Sequence, residues 1–130
     1  MRTQAAERPA PEGILVVDKP AGWTSHDVVA RLRGILGTRR VGHAGTLDPM
    51  ATGVLVVGVG RGTRLLRFLS AAGKTYEATI RLGQATTTDD ADGHITAAVD
   101  AQDVGLSALR EVVESYVGTL AQVPPAVSAV

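Results

Sequence analysis

Asp48 lies in the segment GHAGTLDP, with His43 five positions before it and Arg39 and Arg40 just ahead. A carboxylate and an imidazole at that spacing in one loop are close enough to line a single cavity. Taken alone, an aspartate before a proline is better explained as a turn residue bonding to its own backbone. Taken alone, His43 is more often a satisfied loop residue, although an imidazole can also stack and hydrogen-bond. Arg61, Arg64 and Arg67 follow the loop, and with Arg39 and Arg40 they are candidate phosphate contacts. Lys19, followed by Pro20, reaches a phosphate or fixes the loop, or else is a solvated turn lysine. Tyr76 either packs in a core or offers a stacking face. In TTDDADG, Asp90, Asp92 and Gly93 match the third, fifth and sixth positions of a calcium loop. Thr88 and Val99 occupy its first and twelfth, where carboxylates are required, so calcium is excluded.

The chain that must position these groups has 130 residues, about the size of one domain with a single core. Its residues are 45% hydrophobic but only 3% aromatic, so Val, Leu, Ile and Ala must build that core, as in α/β domains. Without cysteine there are no disulfides or thiolate metal sites, and a cytoplasmic setting fits. No apolar run is long enough to span a bilayer, and residues 1–12 read as a flexible tail with no signal-peptide core. The formal net charge of zero hides an asymmetry. Residues 18–81 hold ten Lys or Arg against four acids, whereas residues 82–130 hold Arg110 against seven acids. One basic surface able to meet phosphates and one acidic surface are the expected result.

Residues 13–17 read as a strand that turns at Pro20. A helix begins at Thr24 or Ser25, carries Val28, Leu32, Ile35 and Leu36 on one face, and ends at Gly37. Residues 39–53 read as an extended loop, and 54–60 as a buried strand. Thr63 is expected to cap a helix that holds Leu65, Leu66 and Leu69 and ends at Gly73. The segment KTYEATIRLG alternates strictly and predicts the clearest strand of the chain. A polar loop, a weak strand HITAAV, a helix over 107–117 and a proline-bearing extended end complete the chain, with no interdomain linker.

Four separated segments resemble, in order, those of the TruB family of tRNA pseudouridine synthases: ILVVDKPAGWTSHDVV, GHAGTLDPMATGVLVVGVGRGT, KTYEATIRLGQATTTDDADG and QVPPAVSA. The resemblance runs from Gly13 to Val130. It implies an α/β (α+β) catalytic fold built on a mixed, largely antiparallel sheet with flanking helices. It also implies isomerisation of a uridine in the T-loop of tRNA to pseudouridine, without cofactor or metal. The N1 to C1′ bond breaks, the uracil turns, and it rejoins through C5. Asp48 matches the family's essential aspartate, acting as a nucleophile at C1′ or as a base that generates a glycal. Tyr76 matches the tyrosine that stacks on the flipped base, and His43 a histidine that helps hold it. Lys19 matches an early motif near the active site, and Asp90 an aspartate that supports the site through hydrogen bonds.

Family members continue past the point where this sequence stops. Residues 13–130 correspond to the N-terminal portion of the catalytic domain. Val127 stands in an aromatic's usual place, and the family's later strands, an arginine that pairs with the catalytic aspartate, and a small C-terminal RNA-binding region are absent. A monomer acting on the tRNA T-arm is the expectation. Two alternatives stay open: a noncatalytic RNA-binding or RNA-folding module with the same surface, and a synthase with another RNA target.

Overall fold

A computed structural model describes residues 10–125, and the chain divides after Thr75 into two compact units. The first contains a three-stranded antiparallel sheet in the order β1-β3-β2, formed by β1 (Gly13–Lys19), β2 (Val41–His43) and β3 (Gly53–Val59). β1 and β3 pair over their whole length, from Gly13 opposite Val59 to Lys19 opposite Gly53. Between β1 and β2 runs α1 (Ser25–Leu36). Thr24 caps it by accepting from the Asp27 N–H, while the Asp27 carboxylate accepts from the Thr24 N–H and hydroxyl. The Thr24 hydroxyl, then its N–H, holds the Asp27 carboxyl below the usual carboxylate range. Gly37 ends the helix at φ 63°, a left-handed conformation that costs glycine nothing.

The core forms where α1 meets one face of the sheet. Leu55, Val57 and Val59 alternate along β3 and pack with Val28 and Val29 of α1 and Val41 of β2. Val17, Leu32, Leu36 and Leu47 close its edges. Arg33 ties the helix to β2 through Nη2 donating to Val41 O at 3.0 Å. The opposite face is met near Gly58 by the 3-10 turn Gly60–Leu65, whereas Val16 and Val54 are each 70% exposed.

The second unit holds a hairpin of β4 (Gln84–Thr86) and β5 (Ile95–Ala98), with a bulge between Ala85 and Thr86, and then α3 (Leu106–Ser115). None of its described residues is buried. The single core expected for the whole chain therefore lies entirely within the first unit. The expected architecture is otherwise seen: helices beside antiparallel sheets.

Three local expectations need correction. The strand over Lys74 to Gly83 is absent, and residues 73–81 carry no regular structure. Alternation defines a face but supplies no neighbour, and neither sheet takes this segment as a strand. The helix capped by Thr63 is instead the 3-10 turn followed by the short α2 (Leu66–Leu69). The Thr63 hydroxyl donates backward to Gly60 O at 2.9 Å, so it caps nothing ahead of it. Finally, β2 lies inside the stretch read as loop.

Candidate active site

The HAGTLDP loop leaves β2 and returns to β3. Its first step continues the ladder, with Ala44 N–H donating to Val56 O at 2.8 Å. Gly45 then turns the chain at φ 134°, a conformation that side chains rarely adopt. His43, half-buried at the end of β2, places Nδ1 2.8 Å from Gly45 O, which makes Nδ1 the protonated nitrogen of the neutral ring.

Asp48 sits between two anchored peptide units. Before it, Leu47 N–H donates to Ser25 Oγ at 2.8 Å, and the same hydroxyl donates to Leu47 O at 3.3 Å. After it, Pro49 O accepts from Gly22 N–H at 2.8 Å and from Lys19 Nζ at 3.2 Å. The carbonyl of Asp48 accepts from Ala51 N–H at 3.0 Å and closes a turn. Asp48 is itself exposed. Its backbone is thus fixed by neighbours distant in sequence while the carboxylate faces outward, the arrangement a reacting group needs if it is not to spend binding energy on orientation.

Lys19 is wholly buried at the end of β1. Its ammonium donates to Pro20 O (3.0 Å), Trp23 O (2.6 Å) and Pro49 O (3.2 Å). An ammonium has three protons, and these three carbonyls use them all. Of the roles open to Lys19, this geometry matches the one that fixes the loop, and the phosphate contact expected of it gives way to that support.

Among the candidate phosphate contacts, Arg39, Arg40, Arg61 and Arg64 are all exposed. Arg61 pairs with Glu12 at 2.7 Å, and Arg40 Nε reaches Thr63 Oγ1 at 3.4 Å. Arg67 lies over the Phe68 ring, 4.5 Å from its centroid. The basic excess is real on this unit, but Lys19 spends its three donors on backbone carbonyls, and Arg33 gives Nη2 to Val41 O while its Nε is buried without a partner. Lys74, which no motif singles out, lies beside the loop: a Cβ at Gly45 would stand 3.4 Å from its Cε.

Tyr76 and Asp90 belong to the second unit. Tyr76 is 66% exposed, with its ring unburied. Asp90 organises its own loop, accepting on Oδ1 from Thr88 Oγ1 (2.6 Å), Asp92 N–H (2.9 Å) and Gly93 N–H (3.2 Å). The Thr88 hydroxyl chiefly, helped by these two amides and opposed by partial desolvation, holds its carboxyl below the usual range. Among the described residues no group of three or more His, Asp or Glu is placed to hold a metal ion, and no helix is long and apolar enough to cross a membrane.

Sequence reasoning missed Ser25 as part of this site. It was visible only as a possible helix cap, and its partner lies 22 residues away. Thr24 takes the cap, which leaves the Ser25 hydroxyl free to reach Leu47.

Comparison with known proteins matches the same segments. The chain is 62% identical over 119 residues to tRNA pseudouridine synthase B of Thermobifida fusca, covering 92% of this chain and 41% of that protein. It is 60% identical over 121 residues to the protein of that name from Mycolicibacterium paratuberculosis, again covering 41% of the relative. The chain thus spans about two-fifths of the length of the curated relatives it matches. Among solved structures, a chain of an H/ACA RNP bound to a substrate RNA containing 2′-deoxyuridine is 47% identical over 44% of this chain and 18% of that one, with a TM-score of 0.43. The model of the TruB family pseudouridylate synthase N-terminal domain matches residues 33–130, and by that match the chain belongs to the TruB family.

Proposed function

We propose that these residues are the N-terminal portion of the catalytic domain of a tRNA pseudouridine synthase that isomerises a uridine of the T-loop. The observation that carries this reading is Asp48: an exposed carboxylate on a backbone pinned at Leu47 and Pro49, within the segment shared with the family. Cleavage of the N1 to C1′ bond develops positive character on the ribose, and an ionised carboxylate held at that position stabilises it. Asp48 either bonds to C1′ or removes the 2′ proton. The released uracil turns and bonds to C1′ through C5, and as it does so the Asp48 to C1′ bond breaks or, on the second route, Asp48 returns the proton to C2′. C5 then loses its hydrogen and N1 gains one, so the product is an isomer and no cofactor is consumed.

The uridine must leave its stack to reach Asp48, at a cost of a few kcal/mol. An aromatic platform returns about 1–3 kcal/mol, which is comparable, and Tyr76 is the ring for that task. His43 holds the displaced base. Its bond to Gly45 O leaves Nε2 as the ring atom available to it. Arg39, Arg40, Arg61 and Arg64 supply the phosphate contacts, and Asp90 supports the site by ordering its loop. The enzyme acts as a cytoplasmic monomer on the T-arm.

The test is release of the C5 hydrogen from T-loop RNA. It compares this chain, the chain extended through the C-terminal part of the Thermobifida fusca relative, and the extended chain carrying Asp48→Asn. The extended chain turns over, and the substitution lowers its rate by roughly 10³-fold or more, as loss of a group acting in the transition state does. Equal turnover with Asp48→Asn would remove the catalytic assignment. RNA binding without turnover by the extended wild type would favour a noncatalytic module.

A further inference from the structure

The hydroxyl of Ser25 belongs to a residue 1% exposed in the first turn of α1, and it contacts both backbone polar groups of Leu47, the residue before Asp48. Helix capping does not account for it, because the Thr24 and Asp27 side chains complete the capping box without it. A buried hydroxyl used as donor and acceptor on one residue of a distant loop fixes that residue's orientation as well as its position. Rotation of the Leu47 backbone would break both contacts at once.

We propose that Ser25 is a positioning residue for the Asp48 carboxylate, registering the catalytic loop against the start of α1. This rests on the reading of Asp48 as the reacting group. Lys19 and Gly22 hold the loop on the far side of Asp48, at Pro49. Without Ser25 the loop keeps that anchor and pivots about it, so the loop stays attached while the carboxylate loses its direction. A displacement of about 1 Å at a reacting group can cost on the order of 10²-fold in rate, whereas Arg39, Arg40, Arg61 and Arg64, the phosphate contacts of the proposed function, lie outside residues 47–49.

The experiment uses the chain extended through the C-terminal part of the Thermobifida fusca relative. It measures single-turnover rate, RNA Kd and Tm for wild type, Ser25→Ala, Ser25→Thr and the core variant Val29→Ala. Ser25→Ala lowers the single-turnover rate by about 30- to 100-fold with Kd within about twofold. Ser25→Thr, which keeps the hydroxyl, recovers most of the rate. Val29→Ala loses thermal stability without a comparable loss of rate. A rate within twofold of wild type for Ser25→Ala overturns the proposal, as does an equal loss in Val29→Ala, which would mark the effect as general destabilisation. Should the extended wild type fail to turn over, or turn over equally well with Asp48→Asn, the functional reading itself fails and this inference falls with it.

Discussion

The two units present similar sequence patterns and reach different ends. In the first, an amphipathic helix and an alternating strand find each other: Val28 and Val29 meet Leu55, Val57 and Val59, and all of these are buried. In the second, α3 carries Leu106 and Val113, Tyr116 follows it directly, and the segment after Thr75 carries Tyr76 and Ile80, yet every one of these is more than half exposed. Periodicity selects which face of an element is apolar. Burial requires a second face of matching shape, and one hairpin and one helix supply few. The first unit is itself finished on one side of its sheet and open on the other, where Val16 and Val54 face outward. The candidate carboxylate lies on the unit with the core, held by that unit's most buried polar groups.

The largest test of this contrast is Lys19→Met. Methionine fills the volume but leaves three carbonyls without their donor, in a place water does not reach. The expected loss is about 3 kcal/mol, or a fall in melting temperature on the order of 10–20 °C. The chain provides its own probes: its one tryptophan, Trp23, is in the first unit, and its two tyrosines, Tyr76 and Tyr116, are in the second. Trp23 fluorescence should therefore follow the loss. A melt within about 3 °C of wild type would show that the ammonium is not holding the loop.

A matched pair sharpens the comparison with a smaller effect. Val57 is fully buried and Val99 is 73% exposed. Val57→Ala should cost about 2 kcal/mol, and Val99→Ala no more than about 0.5 kcal/mol. Urea unfolding gives both values. Equal costs would mean that the second unit has a core of its own.

What was legible in the sequence divides along the same line. Contacts between near neighbours could be read: the helix start at Thr24 or Ser25, the stop at Gly37, and the strand after Gly53 each rest on residues a few positions apart. Asp48 stands out through the motif around it. The grip of Ser25 on Leu47 and of Lys19 on Pro49 spans 22 and 30 residues, and no local pattern encodes such a bond. The missing strand after Gly73 shows the converse. Its alternation is perfect as a local signal, but a strand is a relation between two segments, and only one of them was read.

The smallest effect concerns the loop between β4 and β5 in the second unit. Asp90 accepts three hydrogen bonds on a single oxygen, and its carboxyl is held below the ordinary range, first by the Thr88 hydroxyl and then by the Asp92 and Gly93 amides. A carboxyl whose folded pKa is depressed contributes stability that is present above its unfolded pKa and is lost as pH falls through the folded value. The loop should accordingly loosen only in acid below the usual aspartate range, with the Asp92 and Gly93 amides losing protection together. Thr88→Val removes the largest contributor while keeping the side chain's shape, so the Asp90 titration should move up toward the ordinary value. The two amide donors remain, so the recovery should be partial. Carboxyl-carbon NMR of Asp90 against pH measures both the starting depression and the change. If the substitution leaves the titration unmoved, the hydroxyl does not order this loop in solution, and local order in the second unit must come from the hairpin ladder alone.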